Sequence, residues 1–189
     1  MLFRSVDNQD VPHRFVLSGI YELPFGRGKT FAGNAHPAAN AVFGGWSIGS
    51  IVTWASGRPY SLTVSGNPAN TGTIGIVNRP NVVGDPNSGE RTLQRDFNTA
   101  AFAPNAQYTI GNLGRNAMRQ RSFFGWDFSA MKNFRLHERA TLQFRFEAFQ
   151  FTNTPRFGQA GNALGTANFG TITGADTPRN LQFGLKLIW

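Results

Sequence analysis

Hydrophobic residues return at every second position in five separate stretches of this chain. In residues 14–23, Phe15, Leu17, Gly19, Tyr21 and Leu23 alternate with Arg14, Val16, Ser18, Ile20 and Glu22. In 41–54, Val42, Trp46, Ile48, Val52 and Trp54 share one face and small or polar residues share the other. In 126–136, Trp126, Phe128, Ala130, Phe134 and Leu136 alternate with Asp127, Ser129, Met131, Asn133 and Arg135, and Lys132 interrupts the apolar row. In 139–149, Leu142, Phe144 and Phe146 alternate with Thr141, Gln143, Arg145 and Glu147. In 180–189, Leu181, Phe183, Leu185, Leu187 and Trp189 alternate with Gln182, Gly184, Lys186 and Ile188. A period of two marks a strand with unlike faces. The pattern predicts strands near 14–23, 41–54, 126–136, 139–149 and 180–189.

The third and fourth stretches read as a hairpin. Their apolar residues carry the same parity, so paired positions must sum to an even number, and a tight loop at 137–139 satisfies this. That register brings Asp127 and Ser129 near Arg145 and Glu147 on the polar face, a cluster that reads as a structural ion network rather than a catalytic site. The connections differ in length. Residues 24–40 and 137–139 are the shorter ones. Residues 57–122 and 154–178 are long and rich in Gly, Asn, Pro and Thr. Long irregular loops are uncommon in compact soluble domains, whereas short turns on one side and long loops on the other are usual in outer-membrane barrels.

Composition sharpens this picture. The chain of 189 residues holds 22 Gly, 18 Phe and no Cys, and only 15% of its residues are charged, well below the roughly 25% of an ordinary soluble domain. Aromatics and glycine with few charges suit strands and turns, so an all-β fold is expected. The net charge of +8 comes from scattered Lys and Arg, which reads as a solvated or lumen-facing scatter and not as a nucleic-acid surface. The first fifteen residues do not read as a signal peptide. No window holds 18 consecutive apolar residues, so no transmembrane helix is expected; a membrane β-barrel stays open, because its strands need only about 9–11 residues with apolar alternate sites.

The chain is poor in catalytic material, and no enzymatic activity, metal or cofactor is expected. His13, His36 and His137 lack metal-ligand spacing. PFGRGKT at 24–30 carries the Gly-Lys-Thr ending of a phosphate loop but lacks its glycine spacing, since Leu23 stands where the first glycine belongs. Ser47 falls in a GWSIG sequence at 45–49, but inside an alternating strand pattern and not at the strand-to-helix elbow that exposes a nucleophile, and no acidic pair stands out. Arg115, Arg119 and Arg121 could form a basic rim for an anionic ligand or lipopolysaccharide phosphates; a loop base folded by its own Asn and Gly turns reads equally well.

In a membrane wall, the cost of a cation facing lipid assigns the faces. Arg145 and Glu147 belong in the lumen, and Leu142, Phe144 and Phe146 face out. Lys132 then either snorkels to the interface or is turned inward by a bulge. Trp46, Trp54, Trp126, Tyr21 and Trp189 lie near strand ends, where an aromatic girdle would be.

Several segments together carry a resemblance: VPHRFVLSGIYELPFGRGKTF at 11–31, GGWSIGSIVTWASGRPYSL at 44–62, NRPNVVGDP at 78–86, DFNTAAFAP at 96–104 and IGNLGRNAMR at 110–119. They continue with FFGWDFSAMKNFRLHERATLQFRFEAFQFTNTPRFG at 123–158, FGTIT at 169–173 and PRNLQFGLKLIW at 178–189. In this order the chain resembles the C-terminal barrel portion of TonB-dependent outer-membrane receptors of the Oar-like group. It departs from them at 150–158 and in ending on Trp189 rather than Phe. The resemblance implies an antiparallel meander of about five strands from a barrel of about twenty-two, with long extracellular loops. It implies an outer-membrane location in a Gram-negative-type bacterium, and a C-terminal fragment of a transporter whose signal peptide, regulatory-like domain and plug lie elsewhere.

Its implied partners are the rest of the barrel, the plug, TonB acting through that plug, outer-membrane lipid and the barrel assembly machinery. To that machinery Leu181, Phe183, Leu185, Leu187 and Trp189 would present a β-signal. Such a fragment would not transport alone. The alternatives are a structural or adhesive outer-membrane barrel without energised transport, and a soluble β-sandwich carbohydrate-binding module.

Overall fold

The computed structural model describes residues 5–70 and 78–189; part of the expected loop 57–122 therefore lies outside the described residues. In chain order the elements are β1 (Arg14–Glu22), α1 (Pro37–Phe43), β2 (Trp46–Ala55), β3 (Pro59–Tyr60), β4 (Thr63–Val64) and β5 (Asn81–Val82). After a 3-10 turn at Thr99–Ala101 come β6 (Phe102–Ala103), β7 (Met118–Arg119), β8 (Phe123–His137), β9 (Ala140–Phe149), β10 (Ala163–Leu164) and β11 (Asn180–Ile188). They fall into two compact units. A sheet unit comprises Arg14–Trp54, Phe124–Pro155 and Thr177–Trp189. A loop unit comprises the described parts of Met1–His13, Ala55–Phe123 and Arg156–Asp176.

The sheet unit is a five-stranded meander in the order β1-β2-β8-β9-β11, so each long strand lies beside its neighbours in sequence. β9 pairs antiparallel with both β8 and β11. Leu181, Phe183, Leu185 and Leu187 sit opposite Ala148, Phe146, Phe144 and Leu142, which keeps the apolar rows of β9 and β11 on one face. Pairs from Phe128–Ala148 to Arg135–Thr141 join residues of like parity, the register that a loop centred on Glu138 demands. The hairpin nevertheless closes differently from the expected three-residue loop. The register shifts between Arg135 and His137, so that His137 pairs with Ala140 around a two-residue turn at Glu138 and Arg139. Two-residue turns match the twist of paired strands, and the bulge at Leu136 absorbs the extra residue.

The second strand also starts later than its alternation suggests. Residues 37–43 are helical, not extended. Pro37 occupies the first turn, where no backbone N–H is required, and Ala38, Ala39 and Ala41 favour helix. His36 caps the helix, its Nδ1 accepting from the Ala38 N–H at 3.3 Å. Gly44 and Gly45 end it, and Gly45 has φ +72°, a conformation that side chains disfavour. Val42 kept step with the strand pattern by coincidence. β2 therefore begins at Trp46.

The two long connections are not open loops. Leu62 is fully buried, with Tyr60, Phe97, Ala101, Phe102, Leu113 and Met118 from the first connection and Ala160 and Ile172 from the second. The Phe97 ring meets those of Phe102 and Phe169 edge-on at 5.7 and 5.2 Å. Backbone bonds stitch the two connections together. β4 and β10 pair in parallel, Asp96 N–H donates to Gly170 O and Ile172 N–H to Leu93 O, each at 2.8 Å. At Gly161 the chain passes so close to Asn168 that an added Cβ would lie 1.9 Å from its carbonyl oxygen. The long connections are irregular in pattern but share one core.

Leu62→Ala should destabilise the loop unit by about 2–5 kcal/mol, the range for truncating a buried leucine. Limited proteolysis would read this as faster cleavage within Ala55–Phe123, with cleavage within Phe124–Pro155 unchanged.

Candidate functional site

The polar face of the sheet holds the cluster that the sequence reads as a structural ion network facing a lumen. Strand pairing places Ser129 directly opposite Glu147, and Met131 opposite Arg145. On the other side of β9, Glu147 faces Gln182 and Arg145 faces Gly184. An Arg145 Nη2 donates to Glu147 Oε1 at 3.2 Å. The two side chains are 46% and 25% exposed, so this pair contributes about 0–1 kcal/mol. Gln143 Nε2 donates to Asn133 Oδ1 at 3.0 Å, continuing the polar ladder. Asp127 plays a different part. Its Oδ1 accepts from the Gln150 N–H at 3.0 Å and secures the chain just after β9. Asp127, Ser129, Arg145 and Glu147 nonetheless line one groove of about 430 Å³, together with Ser18, Ile20, Gly49 and Met131. A Cβ on Gly49 would lie 2.4 Å from Ser129 Oγ, so the glycine keeps that groove open.

The other face is an exposed apolar surface. Phe183 is 67% and Leu185 72% exposed, beside Leu181, Leu187 and Trp189, which are exposed too. The Phe183 ring lies 5.2 Å from that of Phe146 and 6.4 Å from that of Phe144. A patch of this kind on one protein face requires a non-aqueous neighbour.

Lys132 sits on this apolar face and is 3% exposed. No bulge turns it to the polar face; it pairs opposite Phe144. Its ammonium instead reaches the carbonyl oxygens of Val42, at 3.0 Å, and of Gly44. These lie at the C-terminal end of α1, where carbonyls lack partners and a cation is favoured. The Trp46 and Phe134 rings lie 5.3 and 5.1 Å from the same nitrogen, adding cation–π attraction. Neither sequence alternative anticipated this, because the helix that supplies the acceptors was divided between the connection 24–40 and the strand from 41.

The loop unit holds a second charged centre. Asp96 is 2% exposed. Arg91 Nη2 donates to both its carboxylate oxygens at 3.0 Å, Arg91 Nε donates to its backbone carbonyl, and Arg121 Nε donates to Oδ1 at 2.8 Å. Arg119 pairs with Asp10 and donates to Gly57 O at 3.1 Å. Arg119 and Arg121 thus brace the loop unit, while Arg115 remains exposed. Tyr60 pairs with Met118 across β3 and β7, and its buried hydroxyl has no hydrogen-bond partner among the described residues. Burial, aided by the Asp96 charge, pushes its pKa above the ordinary tyrosine range. Asp96 carried no warning in the sequence, since a single aspartate in DFNTAAFAP does not reveal its burial. His13, His36 and His137 are not brought together, and no group of three His, Cys, Asp or Glu side chains among the described residues could hold a metal.

A family model described as Outer membrane beta barrel domain matches residues 2–182. The chain belongs to the outer membrane beta barrel domain family. No curated protein and no solved structure matches it. Membership of this family goes with an outer-membrane location. It also suits a sheet whose apolar face is bare while its polar face is hydrogen-bonded, since barrel strands alternate in this sense.

Two outcomes test the charged centre of the loop unit. Asp96→Asn leaves two partly solvated arginines facing a neutral group and should cost about 1.5–3 kcal/mol, the range for hydrogen bonds to a charged group; chemical denaturation would measure it. Because the folded Tyr60 pKa is raised, its contribution is fully present below the unfolded value of about 10 and is lost as pH rises through the folded value. Tyr60→Phe should leave neutral-pH stability almost unchanged and flatten the decline above about pH 10, read from thermal melts across that range.

Proposed function

We propose that the chain forms the C-terminal part of the barrel of a TonB-dependent receptor of the Oar-like kind, contributing lumen wall and outward loops to solute uptake. The observation that carries this reading is the open sheet. β1 and β11 are its outer strands, and the apolar face is uncovered. Unpaired edges in lipid leave backbone groups unsatisfied, so such a wall is completed by further strands. The resemblance of 11–31, 44–62, 110–119 and 123–158 to Oar-like barrels supports the choice of receptor.

In this reading the groove lined by Asp127, Ser129, Arg145 and Glu147 faces the lumen, and Leu142, Phe144, Phe146, Phe183 and Leu185 face lipid. The row Leu181, Phe183, Leu185, Leu187 and Trp189 is the β-signal offered to the barrel assembly machinery. Solute movement is driven through a plug by TonB, and the five strands alone transport nothing. No reaction is assigned to the chain. The exposure of Phe183 and Leu185 weighs against a β-sandwich module, which would bury that row.

Expressed together with the plug that this reading requires, the receptor should fractionate with the outer membrane and be retained by the immobilised periplasmic domain of TonB. Outer-membrane recovery without TonB retention would sink the energised reading and leave a structural or adhesive barrel. Recovery in the aqueous fraction would sink both.

A further inference from the structure

The connection between β1 and β2 is a folded body and not a loose turn. Gly26 N–H donates to Phe31 O and Phe31 N–H to Pro24 O, each at 2.9 Å. The Phe25 and Phe31 rings meet at 5.6 Å. Arg27 N–H donates to Asn40 Oδ1 at 2.8 Å, which ties this turn to α1. Yet no residue of α1 is buried. Val42 is 59% and Phe43 70% exposed, and Phe25 and Phe31 are exposed too. A helix of seven residues is marginal in water, and helices in proteins draw most of their stability from packing an apolar face. Here the apolar side chains of the helix are left without that packing among the described residues.

The contacts of α1 show on which side of the wall it lies. Lys132 belongs to the apolar face of β8, and its ammonium holds the carbonyls of Val42 and Gly44. Trp46 Nε1 donates to the same Val42 carbonyl at 2.8 Å, and the Trp46 ring meets that of Phe144 edge-on at 6.1 Å. The C-terminal end of α1 therefore adjoins the apolar face and not the polar groove. It does so at β8, which β2 separates from the open edge strand β1, so strands added at that edge are not its neighbours. Gly44, Gly49 and Ser50 lie against Lys132, Ser129 and Trp126. β2 thus starts toward the end of the sheet where β8 turns into β9. In outer-membrane barrels the short turns are periplasmic.

The charge of the connection is one-sided. Between Leu23 and Trp46 there is no Asp or Glu, while Arg27 and Lys29 are both present. Glu22 takes the Lys29 ammonium at 2.8 Å. Arg27 is exposed and has no ion pair among the described residues.

We propose that this connection is an interfacial foot, seated in the phospholipid headgroups of the periplasmic leaflet. Val42 and Phe43 enter the acyl boundary, and Arg27 meets a lipid phosphate. Interfacial helices combine an apolar face with basic residues in this way, and anionic headgroups attract such residues. The foot continues the bare apolar surface of β9 and β11. It also gives the lysine in the apolar row a purpose, since Lys132 fastens the helix to the wall. The inference rests on the outer-membrane wall and not on the TonB reading.

The chain has no cysteine of its own. The test therefore places an environment-sensitive fluorophore on the full chain at Phe43→Cys, Val42→Cys or Leu185→Cys, in vesicles of phosphatidylethanolamine and phosphatidylglycerol. All of these probes should report lipid, and depth-dependent quenching should place those at 42 and 43 nearer the headgroups than that at 185. Arg27→Gln, or phosphatidylcholine in place of phosphatidylglycerol, should lower the lipid-to-water ratio of the Phe43 probe about fivefold, the effect of one basic side chain at an anionic surface. Neither change should move the Leu185 probe. Probes at 42 and 43 in water, with that at 185 in lipid, would overturn the foot and leave the wall standing. Every probe in water would overturn the wall as well. An equal ratio with and without phosphatidylglycerol, or a higher one in lipopolysaccharide, would overturn the assignment to phospholipid.

Discussion

The sheet unit depends on one constraint: a strand in which every second residue is apolar has to find two different media. In β9 and β11 the apolar rows pair opposite one another, residue for residue, and form a continuous surface of Leu, Phe and Ala. The same pairing puts Arg145, Glu147, Gln143 and Lys186 together on the other face. Slipping the register by one residue would mix the two sets and bring charge onto the apolar surface. The pleat therefore fixes the register, and the register fixes which face can meet lipid and which can meet water.

Two features show how this wall accommodates exceptions. Lys132 sits in the apolar row, yet its charge is held by helix-end carbonyls and two aromatic rings. The chain thus keeps the strand alternation intact on either side of a cation. The hairpin between β8 and β9 does something similar with geometry. A bulge at Leu136 takes up the residue that a tight turn cannot hold, and the ladder beyond it keeps its parity.

The loop unit follows another logic. Its short strands are two residues each, too short to organise a body by backbone pairing alone. Its order comes from a core drawn from both long connections and from Asp96, whose carboxylate gathers two arginines in a buried setting. Removing charged groups from water is costly unless their bonds are satisfied, and here most are. Tyr60 and Asn105 are exceptions, each with a buried side-chain oxygen that has no hydrogen-bond partner among the described residues.

The long strands and their faces were legible in the sequence, because a period of two repeats over eight to ten residues and leaves little room for another reading. The Asp127, Ser129, Arg145 and Glu147 groove was legible for the same reason, although only the structure showed that Asp127 bonds to Gln150 and not to Arg145. The helix at Pro37–Phe43 was missed: 37–40 read as connection, and Val42 in phase drew 41–43 into the strand. The joint core of the two long connections was not legible at all. Leu62 and Ile172 are far apart in sequence and belong to no periodic run, so only the folded chain brings them together. Local alternation is written in neighbouring residues and determines strand, face and register. The use of Lys132 and the joint core of the two long connections depend on partners dozens of residues away, and those are decided when the tertiary structure forms.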